Sequence, residues 1–146
     1  MSASQHGLLA LLHRANQIAS DRFSETIGDH GLTARQVQVL AAIEANEGGS
    51  QTDIVNITGI DRSTLADIIR RLSNRKLIER RRTKEDARAY AVKLTDAGRN
   101  ELALGKPAVG KVEQNLLSVL PANRQTDLLA LLEFIVASGQ QPAAPV

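Results

Sequence analysis

Apolar residues recur at helical spacing through most of the chain. Leu8, Leu11, Leu12, Ala15, Ile18, Ala19, Phe23 and Ile27 make one stripe, predicting a helix over 7–28 that Gly28 to Gly31 end. Arg22 falls on this stripe, so it needs a carboxylate partner or a place at the surface. Thr33 and Gln36 have capping-box spacing. They open a helix that turns Val37, Leu40, Ala41 and Ile43 inward through about Ala45. Glu47-Gly48-Gly49 breaks it, and Ser50 with Asp53 caps a shorter helix carrying Ile54, Val55 and Ile57. That helix ends near Thr58-Gly59, where glycine suits the positive φ of a tight turn.

The clearest period follows. Leu65, Ile68, Ile69 and Leu72 form one apolar face of a helix over 61–75, with Asp61 as its cap. The opposite face carries Ser63, Asp67, Arg70 and Asn74, flanked by Arg62, Thr64 and Arg71. Leu77 to Arg82 and Tyr90 to Leu94 read as two short strands joined by a polar loop, Thr83 to Ala89. Thr95 opens a long helix to about Leu120, which Gly105, Pro107 and Gly110 interrupt, with a kink expected at Pro107. Pro121 starts the last helix, where Leu128, Leu129, Leu131, Leu132, Ile135 and Val136 cover more than one side. A monomer of 146 residues could hardly bury these together with the leucines at 8–12, so both chain ends are expected to interlock with a second copy. The small, polar, Pro-containing tail 139–146 is expected to be disordered.

Charge narrows the function. Residues 70–88 hold nine Lys or Arg against three acids, a net charge of +6. The whole chain is +2, so the rest is mildly acidic. A short, strongly positive segment is the footprint of a nucleic-acid binder. Helix, strand, basic loop, strand is the order of a winged helix-turn-helix, whose helix enters the major groove and whose wing reaches the minor groove. Three aromatics, Phe23, Tyr90 and Phe134, are too few for a single-strand stacking platform. Without cysteine there is no disulfide or thiolate metal site. His6, His13 and His30 lack metal-site spacing, and no phosphate loop or nucleophile motif is present, so no enzyme activity is expected. The Leu8 to Leu12 run is too short for a signal and lacks a basic lead-in; a cytoplasmic protein is expected.

Asp86-x-Arg88-x5-Leu94-Thr95-x-x-Gly98 resembles the wing signature of the multiple-antibiotic-resistance regulator (MarR) family. Asp61 to Thr64 and Leu72 to Arg80 are similar to that family's recognition helix and first wing strand. The resemblance covers roughly residues 8–138. It implies a homodimeric winged-helix regulator of pseudo-palindromic DNA, released by a small ligand. The expected fold is mainly α with a small β-wing. A single domain, 1–138, would hold dimerisation helices at 7–30 and 99–138 and a DNA-binding lobe at 32–98. The family often has Gly where this chain has Lys76, so Asn74 is expected to supply the turn that leaves the helix. The lack of cysteine excludes the oxidation sensing some members use.

On this reading Ser63, Thr64, Asp67 and Arg70 are candidates for base or near-base contacts, and Arg62 and Arg71 for base or phosphate. Asp67 could accept from a cytosine amino group or position a neighbouring Arg. Arg88 is expected in the minor groove, Asp86 as the partner fixing the wing, and Lys84 at the DNA backbone. Of Arg80 to Arg82, which alternate in direction, only some can face phosphate. No cofactor is expected. The resemblance implies a small anionic, often aromatic, effector, lodged where the first helix meets the second and fifth, and Arg14 and Arg22 are candidates to pair its carboxylate. Two other readings remain open: a winged-helix module for an acidic protein partner, and a shape reader of double-stranded RNA or left-handed DNA.

Overall fold

The computed structural model describes residues 7–82 and 90–139. The predicted loop Thr83 to Ala89, with Lys84, Asp86 and Arg88, and the tail beyond Gly139 lie outside the described residues. The elements run α1 (Leu8–Ile27), a 3-10 turn (Gly28–His30), α2 (Ala34–Ala45), α3 (Gln51–Thr58), α4 (Arg62–Asn74), β1 (Ile78–Arg82), β2 (Tyr90–Leu94), α5 (Asp96–Leu117) and α6 (Ala122–Ser138). The expected fold is the observed one: mostly helices, with one two-stranded antiparallel sheet.

The chain divides into two compact units, 1–112 and 113–146. In the first, α2 is the hub. Val37, Val39, Leu40, Ala42 and Ile43 are all buried, so α2 is covered on more sides than the single predicted face, and Ala41 is less buried than Ala42. Both predicted capping boxes form. Thr33 Oγ1 accepts from Gln36 N at 3.1 Å, and Ser50 Oγ from Asp53 N at 3.1 Å, each with the reciprocal bond in place. Gly59 takes the left-handed conformation, φ 70°, between α3 and α4. Ile60 is buried at this turn.

The wing strands pair in the register Ile78 with Leu94, Arg80 with Val92 and Arg82 with Tyr90. The segment before α3 adds a short rung: Gly48 N donates to Val92 O at 3.2 Å and Val92 N to Gly49 O at 3.0 Å. Ile78, Val92 and Leu94 bury one face of the sheet base.

The Leu94-Thr95-x-x-Gly98 part of the signature has a physical cause where the start of α5 meets Lys76 and Leu77. Leu94 is buried. Thr95 caps α5, its Oγ1 accepting from Gly98 N at 3.0 Å and donating to Lys76 O at 2.7 Å. Thr95 N donates to Leu77 O at 3.1 Å. Gly98 faces that same Leu77 carbonyl, where no Cβ fits.

Two expectations are corrected. Asn74 does not supply the helix exit; it is the last residue of α4, and Lys76 itself takes φ 60°. The reversal must be immediate, because Leu77 N donates to Leu72 O and the strand begins at Ile78. Left-handed backbone costs a non-glycine residue roughly 1–2 kcal/mol. Lys76→Gly is therefore expected to raise stability by about 1 kcal/mol, less a little for the freer unfolded chain; urea unfolding measures it, and a loss of stability would refute the strain. Second, Gly105, Pro107 and Gly110 do not interrupt α5, which is helical throughout. Proline's fixed φ fits a helix; the bond to the Ala103 carbonyl is lost and the ring crowds that carbonyl, but Ala103 and Pro107 are both exposed, so the carbonyl can tilt out to solvent. Gly105 instead makes room for Val37: a Cβ there would lie 2.6 Å from Val37 Cγ2.

In the second unit Pro121 stands just before α6 as its cap residue. No residue of α6 is buried. On α1 only Phe23 and Ile27 are buried, while Leu8, Leu9, Leu11, Leu12 and Ile18 are exposed.

Candidate nucleic-acid interface

The recognition helix is anchored from below and polar above. Leu65, Ile68, Ile69 and Leu72 are all buried, which fixes α4 about its own axis. Arg62, Ser63 and Arg70 are consequently exposed, with Arg71 beside them, while Thr64 and Asp67 are half-buried.

Asp61 starts the helix as predicted. Its Oδ2 accepts from Thr64 N at 3.0 Å and from the Ser63 hydroxyl at 2.7 Å. Hydrogen bonding from Thr64, then from Ser63, lowers its pKa from 3.8 to about 2. Ser63 spends its proton on this cap, so toward DNA its oxygen is left as an acceptor.

Asp67 is a fork. Oδ1 accepts from Arg70 Nη2, and Oδ2 accepts from Arg71 Nε at 3.0 Å. The Arg70 hydrogen bond is the first cause of its lowered pKa, with Arg71 adding to it. Both of the acid's oxygens are occupied, which favours positioning of the two arginines over accepting from a base. Exposed pairs like these contribute little to stability; what they fix is direction.

The basic window is not uniformly available. Arg75 follows α4 and donates to His30 O at 3.0 Å and Gly31 O at 3.5 Å, tying the helix end to the turn after α1. Arg81 lies 3.7 Å from the Glu79 carboxylate. Arg80 and Arg82 both stack over Tyr90. The role of Arg75 was not readable from sequence, because its partners lie 44 and 45 residues away. The predicted wing contacts of Lys84, Asp86 and Arg88 fall outside the described residues.

A cavity of about 190 Å³ opens between the end of α1 and α5, lined by Thr26, Ile27, His30, Leu104, Pro107, Ala108 and Lys111. Lys111 and His30 are its polar nitrogen groups. Neither Arg14 nor Arg22 lines it; Arg14 is exposed, and Arg22 is half-buried with an interaction of its own. Among the described residues no group of three or more His, Asp or Glu could hold a metal. No described helix is long and apolar enough to cross a membrane.

The capped, amphipathic helix α4, the glycine-centred turn before it and the hairpin behind it define a DNA-binding winged helix-turn-helix regulator of transcription. The family model that matches residues 30–89 is that of the MarR family. The chain is 27% identical over 130 residues to the transcriptional repressor NicR of Pseudomonas putida, covering 89% of this chain and 82% of NicR. It superposes on Bordetella bronchiseptica BpsR, whose DNA binding is regulated by 6-hydroxynicotinic acid, with TM-score 0.82, 30% identity and coverage of 92% and 96%. The repressor CouR, solved on a 23-mer DNA duplex, gives TM-score 0.78, 32% identity and coverage of 88% and 92%. This chain belongs to the MarR family.

Proposed function

We propose that the protein is a repressor that binds a pseudo-palindromic operator as a homodimer and leaves it when a small anionic ring compound binds. The observation that carries this reading is α4: four buried apolar residues below, and above them exposed Arg62, then Ser63 and Thr64 held by Asp61, and Arg70 and Arg71 held by Asp67. Two such helices related by a two-fold axis would read half-sites about one helical turn apart. Arg62, Arg70 and Arg71 take guanine edges or phosphates; Ser63 and Thr64 take nearby donors. Lys84, Asp86 and Arg88 retain their proposed wing roles on sequence grounds. A protein that controls transcription in this way is no enzyme and works in the cytoplasm.

The effector reading rests on the cavity beside α5 and on the ligand named for BpsR. Its 190 Å³ is below the roughly 300–1,000 Å³ of drug-sized sites, which suits a single-ring acid. Lys111 supplies the cation for its carboxylate, in place of Arg14 and Arg22. Such a ligand releases DNA only by binding one dimer state better than the other.

Selection of bound sequences from random duplex DNA is expected to return a palindrome. Affinity for it is expected to fall steeply with salt, by about 10³ or more between 50 and 200 mM if six or more phosphates are contacted. An asymmetric site, or a flat salt response, would reject the operator reading. Titrating 6-hydroxynicotinic acid and related ring acids against the bound complex tests the effector; a complex that survives them all rejects it.

A further inference from the structure

Strand β1 sorts its three consecutive arginines. Residues two apart on a strand share a face, so Arg80 and Arg82 point together and Arg81 points away. The register places Arg82 opposite Tyr90 and Arg80 opposite Val92. Both guanidiniums then lie over the one Tyr90 ring, at 5.3 Å and 5.9 Å from its centroid. Arg81, on the other face, has Glu79 beside it. Among the described residues no carboxylate pairs with Arg80 or Arg82. Two like charges are thus held together by the negative face of an aromatic ring, and among the described residues no carboxylate meets their outward N–H groups.

We infer that Tyr90 is a positioning residue that holds Arg80 and Arg82 as a paired clamp for the phosphate backbone of duplex DNA. Guanidinium donors match phosphate oxygens in pairs, and their charge is permanent. A ring that orders two long side chains before binding removes part of the ordering cost of binding. The clamp contacts phosphate only, so it adds affinity without sequence preference. Protein carboxylates would fit the same donors; the choice of DNA rests on the operator reading above.

The test is a double-mutant cycle on the full chain, with binding to selected and to unrelated duplexes followed across salt. Arg80→Gln with Arg82→Gln is expected to lower the slope of log affinity against log salt by about 1 to 2. Tyr90→Leu is expected to weaken both duplexes about tenfold, from the ordering cost of two side chains, and Tyr90→Phe to bind within about twofold of the parent because the ring remains. In the Arg80→Gln, Arg82→Gln background, Tyr90→Leu is expected to do nothing more. A Tyr90→Leu loss that persists there marks a merely structural tyrosine and overturns the inference. So does an unchanged slope, a harmless Tyr90→Leu, or a Tyr90→Phe as weak as Tyr90→Leu. A parent chain that binds no duplex overturns the operator reading as well; normal parental binding with any of those variant results overturns the clamp alone.

Discussion

Leu131→Asp combined with Phe134→Asp is expected to leave the protein monomeric and to cut operator affinity by about 10²–10⁴. Leu131 is 61% exposed and Phe134 74%, and Leu129, Ile135 and Val136 beside them are also exposed. No residue of α6 is buried within the chain. Water contact over so much apolar helix is unfavourable at roughly 25 cal/mol per Å², and a patch of this kind marks an interaction surface. The exposed Leu8, Leu9, Leu11 and Leu12 of α1 repeat the same situation at the other chain end. Two carboxylates on α6 break nothing inside the protomer but cannot be buried unpaired in a dimer. Each half-site contact would then act alone, and the gain from linking two of them would be lost. Sedimentation reads the assembly and DNA titration the affinity. A parent chain that sediments as a monomer defeats the dimer reading; a double variant that stays dimeric places the interface elsewhere.

Gly98→Ala is expected to cost about 3 kcal/mol or more, enough to unfold a marginal domain. A methyl group at 98 would be driven into the Leu77 carbonyl oxygen. That oxygen cannot step aside, since it accepts from Thr95 N, and the neighbouring Lys76 carbonyl is held by the Thr95 hydroxyl. Relief requires the start of α5 to separate from Leu77, which would expose Leu77 and Leu94, both buried at this junction. Chemical denaturation measures the loss. If the variant lost less than about 1 kcal/mol, Gly98 would not be serving this close approach.

Much of the fold was legible because its signals act over a few residues. The caps at Thr33, Ser50 and Asp61 each satisfy amide groups three residues on, so side-chain type and spacing sufficed to place them. The burial of Leu65, Ile68, Ile69 and Leu72 followed from period alone. Strand β2 began and ended where the apolar pattern put it, and β1 started one residue later than Leu77. The α2 face was read too narrowly, since a helix packed on several sides has no single apolar stripe to reveal.

The candidate site divides along the same line. Which residues stand on the outer face of α4 was fixed by 100° per residue, but the fork from Asp67 to Arg70 and Arg71 had an equally plausible rival in a contact to DNA. Arg75 belonged to the positive window on charge alone; only the fold sends it to the His30 and Gly31 carbonyls. The pairing of Arg80 and Arg82 over Tyr90 needed the hairpin register. Lys111 entered the cavity because α5 continues through Pro107 beside the end of α1. Sequence by itself determined most helix bounds, the caps and the wing strands, which depend on neighbours a few residues away, and the family, through a motif running from Asp86 to Gly98. Tertiary structure decided which charges are free, why Lys76 must bend left-handed and why position 98 has no side chain, because each depends on groups that chain folding brings together.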